Sequence, residues 1–222
     1  RSSSAASDVY KRQMQEFCKE VCVDNIKDAM RAVDLGANRI EYCSKLNEEG
    51  LTPHIEDVKY LLKNINIPLR IMIRPHSKSF NYSETDISIM LRDISTFKKI
   101  DIDGIVIGCL NKDDEIDLKK INLLIEKARP LKVIFHKAID ITSDPLKSLK
   151  NLIKYSNING VLTSGGFKKA EDGVKLLKKM LDICPINFEL IIAGKITSEN
   201  INKINQKLSA KFYHGKKIVG VL

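Results

Sequence analysis

The sequence predicts a compact (β/α)8 barrel of the TIM type whose eighth helix is short or missing. Eight short β-rich runs alternate with amphipathic helical runs along the chain. Eight such strand–helix units in one chain most often close into a barrel. A doubly wound open sheet is the alternative, but that fold usually has a glycine-rich turn after its first strand. Here that turn is "VDNIKDA", without glycine.

Element boundaries follow from the β-rich runs and from residues that start or end helices. The predicted strands are residues 17–23, 39–43, 69–74, 104–108, 132–136, 160–163, 188–193 and 211–214. Helices are predicted over 26–35, 55–63, 118–128, 170–181 and 198–208, with two more that begin after Ser83 and at Pro145. Ser83 is a favourable N-cap, and the fixed φ of Pro145 suits a first helical turn.

The first thirteen residues do not resemble the rest of the chain. "SSAASDVYKRQ" resembles the in-frame translation of a transposon-based sequencing adapter, and Met14 follows it at once. We interpret residues 1–13 as a non-native, disordered arm and residues 14–222 as a single barrel domain.

Composition excludes several classes of protein. The formal charge is +9, but the lysines are dispersed along helical segments, which favours small anions over nucleic acid as partners. No apolar run approaches the ~20 residues of a membrane span. Five cysteines without a C-x-x-C pair indicate reduced thiols and a cytoplasmic location. A homo-oligomer is left open.

Strand alternation turns charged side chains towards the barrel interior. Glu20 and Cys22 share one face of the first strand, Arg39, Glu41 and Cys43 one face of the second, and Arg74 faces the same way in the third. A buried charge costs several kcal/mol unless it is paired, so we expect these acids and arginines to pair. A purely structural ion-pair network is the alternative for Glu20 and Arg39.

Polar and small residues also follow the carboxyl ends of the later strands, where barrel enzymes keep their chemistry. His136 ends the fifth strand, with Asp140 beyond it. Small and hydroxylated loops follow strands six to eight and suggest an anion cradle of backbone amides. The residues of this predicted cradle are Thr163, Ser164, Gly165, Gly166, Gly194 and His214.

Eight stretches in register resemble the CutC family, whose members are described as copper-homeostasis proteins with a (β/α)8 barrel. They are "EVCVDNIKDA", "GANRIEYCSKLNEEGLTP", "IPLRIMIRP", "FNYS", "DGIVIGCL", "RPLKVIFHKAID", "VLTSGG" and "FYHG", spanning residues 20 to 215. The chain departs from the family's pattern after "IMIRP", where "HSKSF" replaces Arg-Gly-Gly-Asp-Phe. Lys137 also replaces an arginine, and the loop "AGKI" is shorter.

The resemblance implies copper(I) as a ligand, held by Cys22 and Cys43. Copper(I) is soft and accepts thiolates, and these two cysteines lie on adjacent strands. The alternative is that both thiols merely fill the core, because free cysteine is often buried.

A different interpretation is an enzyme that acts on a small metabolite bearing a phosphate or carboxylate. Arg74 would hold the anion, and His136 or Glu41 would transfer protons. Lys195 or Lys137 could form a Schiff base. Alternation, however, predicts that Lys137 faces away from the interior.

Overall fold

The computed structural model describes residues 17–222, which form a closed barrel of eight parallel strands in sequence order. The strands are β1 (Cys18–Val23), β2 (Arg39–Tyr42), β3 (Leu69–Met72), β4 (Gly104–Ile107), β5 (Lys132–Phe135), β6 (Gly160–Thr163), β7 (Glu189–Ile192) and β8 (Phe212–His214). β8 pairs with β1 and closes the barrel, which confirms the predicted fold class and excludes the open sheet.

Seven α-helices follow the first seven strands in the part of the chain that the structure describes. They are α1 (Ile26–Asp34), α2 (Ile55–Asn64), α3 (Glu84–Phe97), α4 (Leu118–Ala128), α5 (Pro145–Tyr155), α6 (Ala170–Ile183) and α7 (Ile201–Leu208). Within residues 215–222 no α-helix follows β8, as predicted. The interpretation of residues 1–13 as an adapter-derived arm lies outside the described residues.

Local sequence explains where several helices begin. Ser83 and Asp86 form a reciprocal capping box at the start of α3. Asp144 caps α5, in which Pro145 occupies the first turn as predicted. The Asn25 side chain accepts from the Asp28 amide at the start of α1. These caps fix the loops that lead out of the carboxyl ends of the strands.

The apolar core has two parts. The larger lies between strands and helices and includes Val21, Ile40 and Ile71, all fully buried. A smaller cluster lies inside the barrel and consists of Cys43, Met72, Val106, Ile134, Leu162, Ile191 and Ala193. Burying each large aliphatic side chain stabilises the fold by about 1.5–3 kcal/mol.

An ionic layer crosses the barrel interior at the amino-terminal half of the strands. Glu20 pairs with Arg39, as expected, and Glu189 accepts from both Arg39 and Arg70. Arg70 is fully buried; it binds Glu189 with two hydrogen bonds of 3.0 and 2.8 Å and Asp103 at 2.8 Å. Sequence reasoning found Glu20 and Arg39 but not Arg70 and Glu189, which complete the layer.

The Lys137 side chain points in a different direction from the one predicted, because β5 ends earlier than expected. The strand ends at Phe135, and Lys137–Ile141 forms a 3₁₀ helix that begins after His136. Alternation therefore stops before Lys137, and its ammonium group reaches Ser164 Oγ at 2.7 Å and Asp140 at 3.2 Å. The prediction that Lys137 faces away from the interior is wrong, because it continued a strand that had ended.

Candidate functional site at the carboxyl end of the barrel

A pocket of about 330 Å³ opens at the carboxyl ends of the strands. It is lined by Cys22, Glu41, Glu49, Met72, Arg74, Phe80, His136, Lys137, Asp140, Ile141, Leu162 and His214. The structure thus brings together all three predicted catalytic residues, one of the two predicted metal-binding cysteines, and His214. Barrel enzymes bind their ligands at this end of the fold.

The floor of the pocket holds a thiol, a carboxylate and an imidazole. Ligand atoms of Cys22, Glu41 and His214 all lie within 4.8 Å of one another. Cys22 and Glu41 meet because they are register partners of β1 and β2, and His214 is the register partner of Glu20. This grouping joins thiolate, carboxylate and imidazole chemistry, a ligand set found in transition-metal sites.

Charge on this floor is set by contact with the ionic layer below. His214 Nδ1 lies 2.8 Å from Glu20 Oε1. Burial opposes a charged imidazole, but Glu41, Cys22 and Glu20 together raise the pKa of His214 well above its usual range. Burial alone would raise the pKa of Glu20, yet the hydrogen bond to His214 and the charge of Arg39 lower it to about 2. His214 is therefore cationic and Glu20 anionic at neutral pH.

Glu41 lies in a different electrostatic situation from Glu20. Burial raises the pKa of Glu41 to about 7, with His214 opposing the rise and Glu20 adding to it. Its Oε2 atom is buried without a hydrogen-bond partner among the described residues. Glu41 can therefore gain or lose a proton near neutral pH.

Cys43 lies beside Cys22 but in an apolar setting. In the pairing of β1 with β2, Cys22 lies opposite Glu41. Cys43 follows Glu41 by two residues and therefore does not lie opposite Cys22. Cys43 is buried in the inner apolar cluster, and its Sγ lies 3.5 Å from the Val23 carbonyl oxygen. The neighbouring Cys43 thiol, and then burial, raise the pKa of Cys22. The two thiols are thus neighbours, although the strands stagger them.

His136 and Arg74 present buried polar atoms to the same pocket. The Ala138 amide donates to His136 Nδ1 at 3.2 Å, which places the imidazole proton on Nε2. Burial and, after it, the charge of Arg74 lower the pKa of His136 to about 3, so the ring is neutral. Arg74 Nη1 donates to the Glu48 and Gly50 carbonyls and its guanidinium stacks on Phe80. His136 Nε2 and Arg74 Nε both lack partners within residues 17–222.

The predicted anion cradle after β6 is already filled by a side chain of this protein. The amides of Ser164 and Gly166 donate to the carboxylate of Asp140 at 2.9 and 2.8 Å, and Thr163 Oγ1 donates to it at 2.5 Å. The Gly165 amide donates to Thr163 Oγ1 instead. These amides are therefore not free for an external anion, because Asp140 already accepts their hydrogen bonds.

Asp140 could have been found from its spacing. It lies three residues after Lys137, and in a helical turn that spacing places the two side chains on one face. Gly194, the third predicted cradle glycine, lies in the loop after β7. Its φ is 102°, and a Cβ at this position would lie 2.7 Å from the Cβ of Ser164, so only glycine fits here. The structure therefore separates the predicted cradle into two places.

The structure defines the class of parallel (β/α)8 barrels, here with titratable groups that converge at the carboxyl ends of the strands. The family model of the CutC family matches residues 17–219, and the chain belongs to this family. It is 36% identical over 198 residues to the copper homeostasis protein cutC homolog of Mus musculus, covering 89% of this chain and 72% of that one.

Two further comparisons agree with this assignment. The family protein CutC of Treponema denticola is 38% identical over 191 residues, which cover 86% of this chain and 77% of that protein. A solved CutC structure from Streptococcus agalactiae superposes with a TM-score of 0.84 at 28% identity, covering 91% of this chain and 99% of that chain. In residues 17–222 no helix has the length and apolar character needed to cross a membrane.

Proposed function

We propose that this protein binds one copper(I) ion between Cys22 and Cys43. The observation that carries the proposal is the group of ligand atoms at the pocket floor, where those of Cys22, Glu41 and His214 lie within 4.8 Å of one another and the buried Cys43 thiol is a neighbour of Cys22. Copper(I) prefers soft thiolate ligands and accepts imidazole. The relatives named copper homeostasis proteins support the same assignment.

Copper(I) binding should tighten as the pH rises. A thiol must lose its proton to become a ligand, and the pKa of Cys22 is raised by Cys43 and by burial. The proposal therefore includes proton release on binding, which calorimetry in two buffers of different ionisation enthalpy measures directly. Affinity that does not change between about pH 6 and pH 8 would contradict a thiolate site.

A Cys22→Ser, Cys43→Ser double variant should lose the tight copper(I) site. Anaerobic competition against a chromogenic copper(I) chelator measures the affinity, and we expect a loss of at least about a hundredfold because no thiolate remains at the floor. Cys184→Ser is the matched control, since Cys184 is a partly buried free thiol far from the pocket, beside Phe188 at the other end of β7. Parent-like affinity in the double variant would refute the site.

A second candidate function is proton transfer on a small anionic metabolite. Of six buried side-chain polar atoms without a partner in the described residues, three belong to residues that line this pocket, namely Glu41 Oε2, Arg74 Nε and His136 Nε2. Orphaned polar atoms are costly, so their convergence points to an organic ligand that supplies partners. A metal held at Cys22 and Cys43 leaves His136 and Arg74 unsatisfied.

The roles follow from the protonation states. Neutral His136 offers an N–H donor to a carbonyl or carboxylate oxygen, and Arg74 adds positive charge beside it. Glu41, with a pKa of about 7, exchanges the proton.

A library of anionic metabolites should contain a compound that raises the Tm of this protein, and Arg74→Met should abolish the rise. At a hundredfold excess over Kd a ligand stabilises by about 2.7 kcal/mol, which is several degrees of Tm. Arg92→Met is the matched control, because the Arg92 side chain is 75% exposed and distant from the pocket. A library without any stabilising compound would count against this candidate.

We also propose a reducing, cytoplasmic setting. All five cysteines are free thiols in the structure. Thiol titration of freshly lysed cells under acid quench measures their redox state; oxidised Cys22 and Cys43 would contradict the proposal.

A further inference from the structure

A second cavity of about 530 Å³ lies beside the pocket, between the loops that follow β7 and β8. It shares two lining residues, Lys137 and His214, with the pocket that holds Glu41 and His136. The two cavities are therefore neighbours that one small molecule can occupy together. Phosphate sites in (β/α)8 barrels are frequently built from the loops after strands seven and eight.

The wall of this second cavity carries only positive charge. Five lysines line it, Lys137, Lys168, Lys195, Lys216 and Lys217, and no acidic side chain does. Within residues 17–222, four of the five have no carboxylate within 4.0 Å, and only Lys137 is paired, with Asp140. Four unpaired ammonium groups around one concavity repel one another, so the site lacks a counter-ion that a dianion would supply.

Closely packed backbone of the loops after β7 and β8 forms part of the cavity wall. A Cβ on Gly215 would lie 2.3 Å from the Ile196 carbonyl oxygen, and a Cβ on Gly194 would lie 2.7 Å from the Cβ of Ser164. The two loops are therefore held against each other and against the β6 loop with no room for side chains. This close contact fixes the positions from which the lysines extend.

We propose that the lysine-lined cavity binds the phosphate group of a small phosphate monoester whose other end lies in the pocket beside His136 and Glu41. A phosphate monoester carries a charge of about −1.5 to −2 at neutral pH and three acceptor oxygens, which suits several ammonium donors. This inference rests on the second candidate function and names its substrate class. It also moves the predicted anion site from the β6 loop, which Asp140 fills, to the β7 and β8 loops.

Titration calorimetry with inorganic phosphate, glycerol 3-phosphate and glycerol tests the proposal, in about 0.15 M salt to suppress diffuse attraction. We expect both phosphates to bind with Kd below about 1 mM and glycerol not to bind. A Lys168→Gln, Lys195→Gln double variant should lose at least about tenfold in affinity for both. Amide resonances of Gly194 and Gly215 should shift with phosphate in NMR spectra of the parent.

The matched control is Lys175→Gln with Lys178→Gln, which removes the same charge from exposed positions of α6. Equal losses in both double variants would show attraction by net charge only and would overturn the proposal. So would the absence of phosphate binding at about 10 mM.

The outcome remains separable from that of the second candidate function. Phosphate binding that persists in Arg74→Met, with no stabilising metabolite in the library, would support this site and reject proton transfer in the pocket. Stabilising metabolites that all lack phosphate would support proton transfer in the pocket and reject the phosphate site.

Discussion

An Arg70→Met variant should lose about 3–5 kcal/mol of unfolding free energy. Arg70 is fully buried and is the residue through which Glu189 and Asp103 are joined inside the barrel. Methionine fills similar space but removes three hydrogen bonds and leaves Glu189 with Arg39, and Asp103 with Lys132, as the remaining cation. Breaking a buried ion pair by removing one partner is far more costly than the loss of an exposed pair. Replacing the whole ionic layer by apolar residues would not carry this cost.

Urea denaturation followed by circular dichroism measures the effect. Lys132→Met is the matched control, because Lys132 also pairs with Asp103, at 2.9 Å, but its side chain is 47% exposed. Exposed pairs contribute about 0–1 kcal/mol, so we expect little change. Arg70→Lys keeps the positive charge but not the two hydrogen bonds to Glu189, so its loss of unfolding free energy should lie between those of Arg70→Met and Lys132→Met. This variant allows the comparison to be made if Arg70→Met does not fold. A loss below about 1 kcal/mol in Arg70→Met would disprove the structural role.

Stability should decrease as the pH rises from about 5 to 8, and Glu41→Gln should remove much of the decrease. The pKa of Glu41 is raised from its usual value to about 7 in the folded state. The folded protein therefore holds this proton more tightly than the unfolded chain does. Its stabilising contribution is complete below the unfolded pKa and is lost as the pH rises through about 7. The change is on the order of 2–3 kcal/mol.

Unfolding free energies of parent and Glu41→Gln at both ends of this range test the sign. Glutamine cannot ionise, so the variant should be more stable than the parent at high pH and similar to it at low pH. Glu56→Gln makes the same chemical change at a side chain that is 75% exposed and should leave the pH profile unchanged. A parent whose stability rises across this range, with Glu41→Gln following it, would show that Glu41 is not the group responsible.

The fold was predictable because its signals are local and repeated. Each strand is a short β-rich run and each helix has its own apolar face, so eight units could be counted without knowledge of any contact. The ends of the strands were less predictable: β3 ends at Met72 and β5 ends at Phe135, before Arg74 and His136. That difference of one or two residues was enough to misplace Lys137.

The residues that line the pocket were predictable in part from the sequence, but their electrostatics were not. Alternation placed Glu20 and Glu41 on the same inner face, yet their pKa values are about 2 and about 7. Sequence spacing cannot separate them, because the difference arises from distant partners: His214 and Arg39 neutralise Glu20, whereas Glu41 Oε2 has no partner in the described structure. Arg70 and Glu189 were missed for the same reason, since they are 119 residues apart.

The carboxylate of Asp140, which binds the amides of the loop after β6, affects which anions can bind there. A group tethered to its own binding site is present there at an effective concentration in the millimolar range, without loss of overall translational entropy on binding. A free carboxylate or phosphate at micromolar concentration therefore cannot displace it from the amides of Ser164 and Gly166. Asp140 thus excludes dissolved anions from these amides, which is consistent with the lysine-lined cavity as the proposed site for a phosphate group.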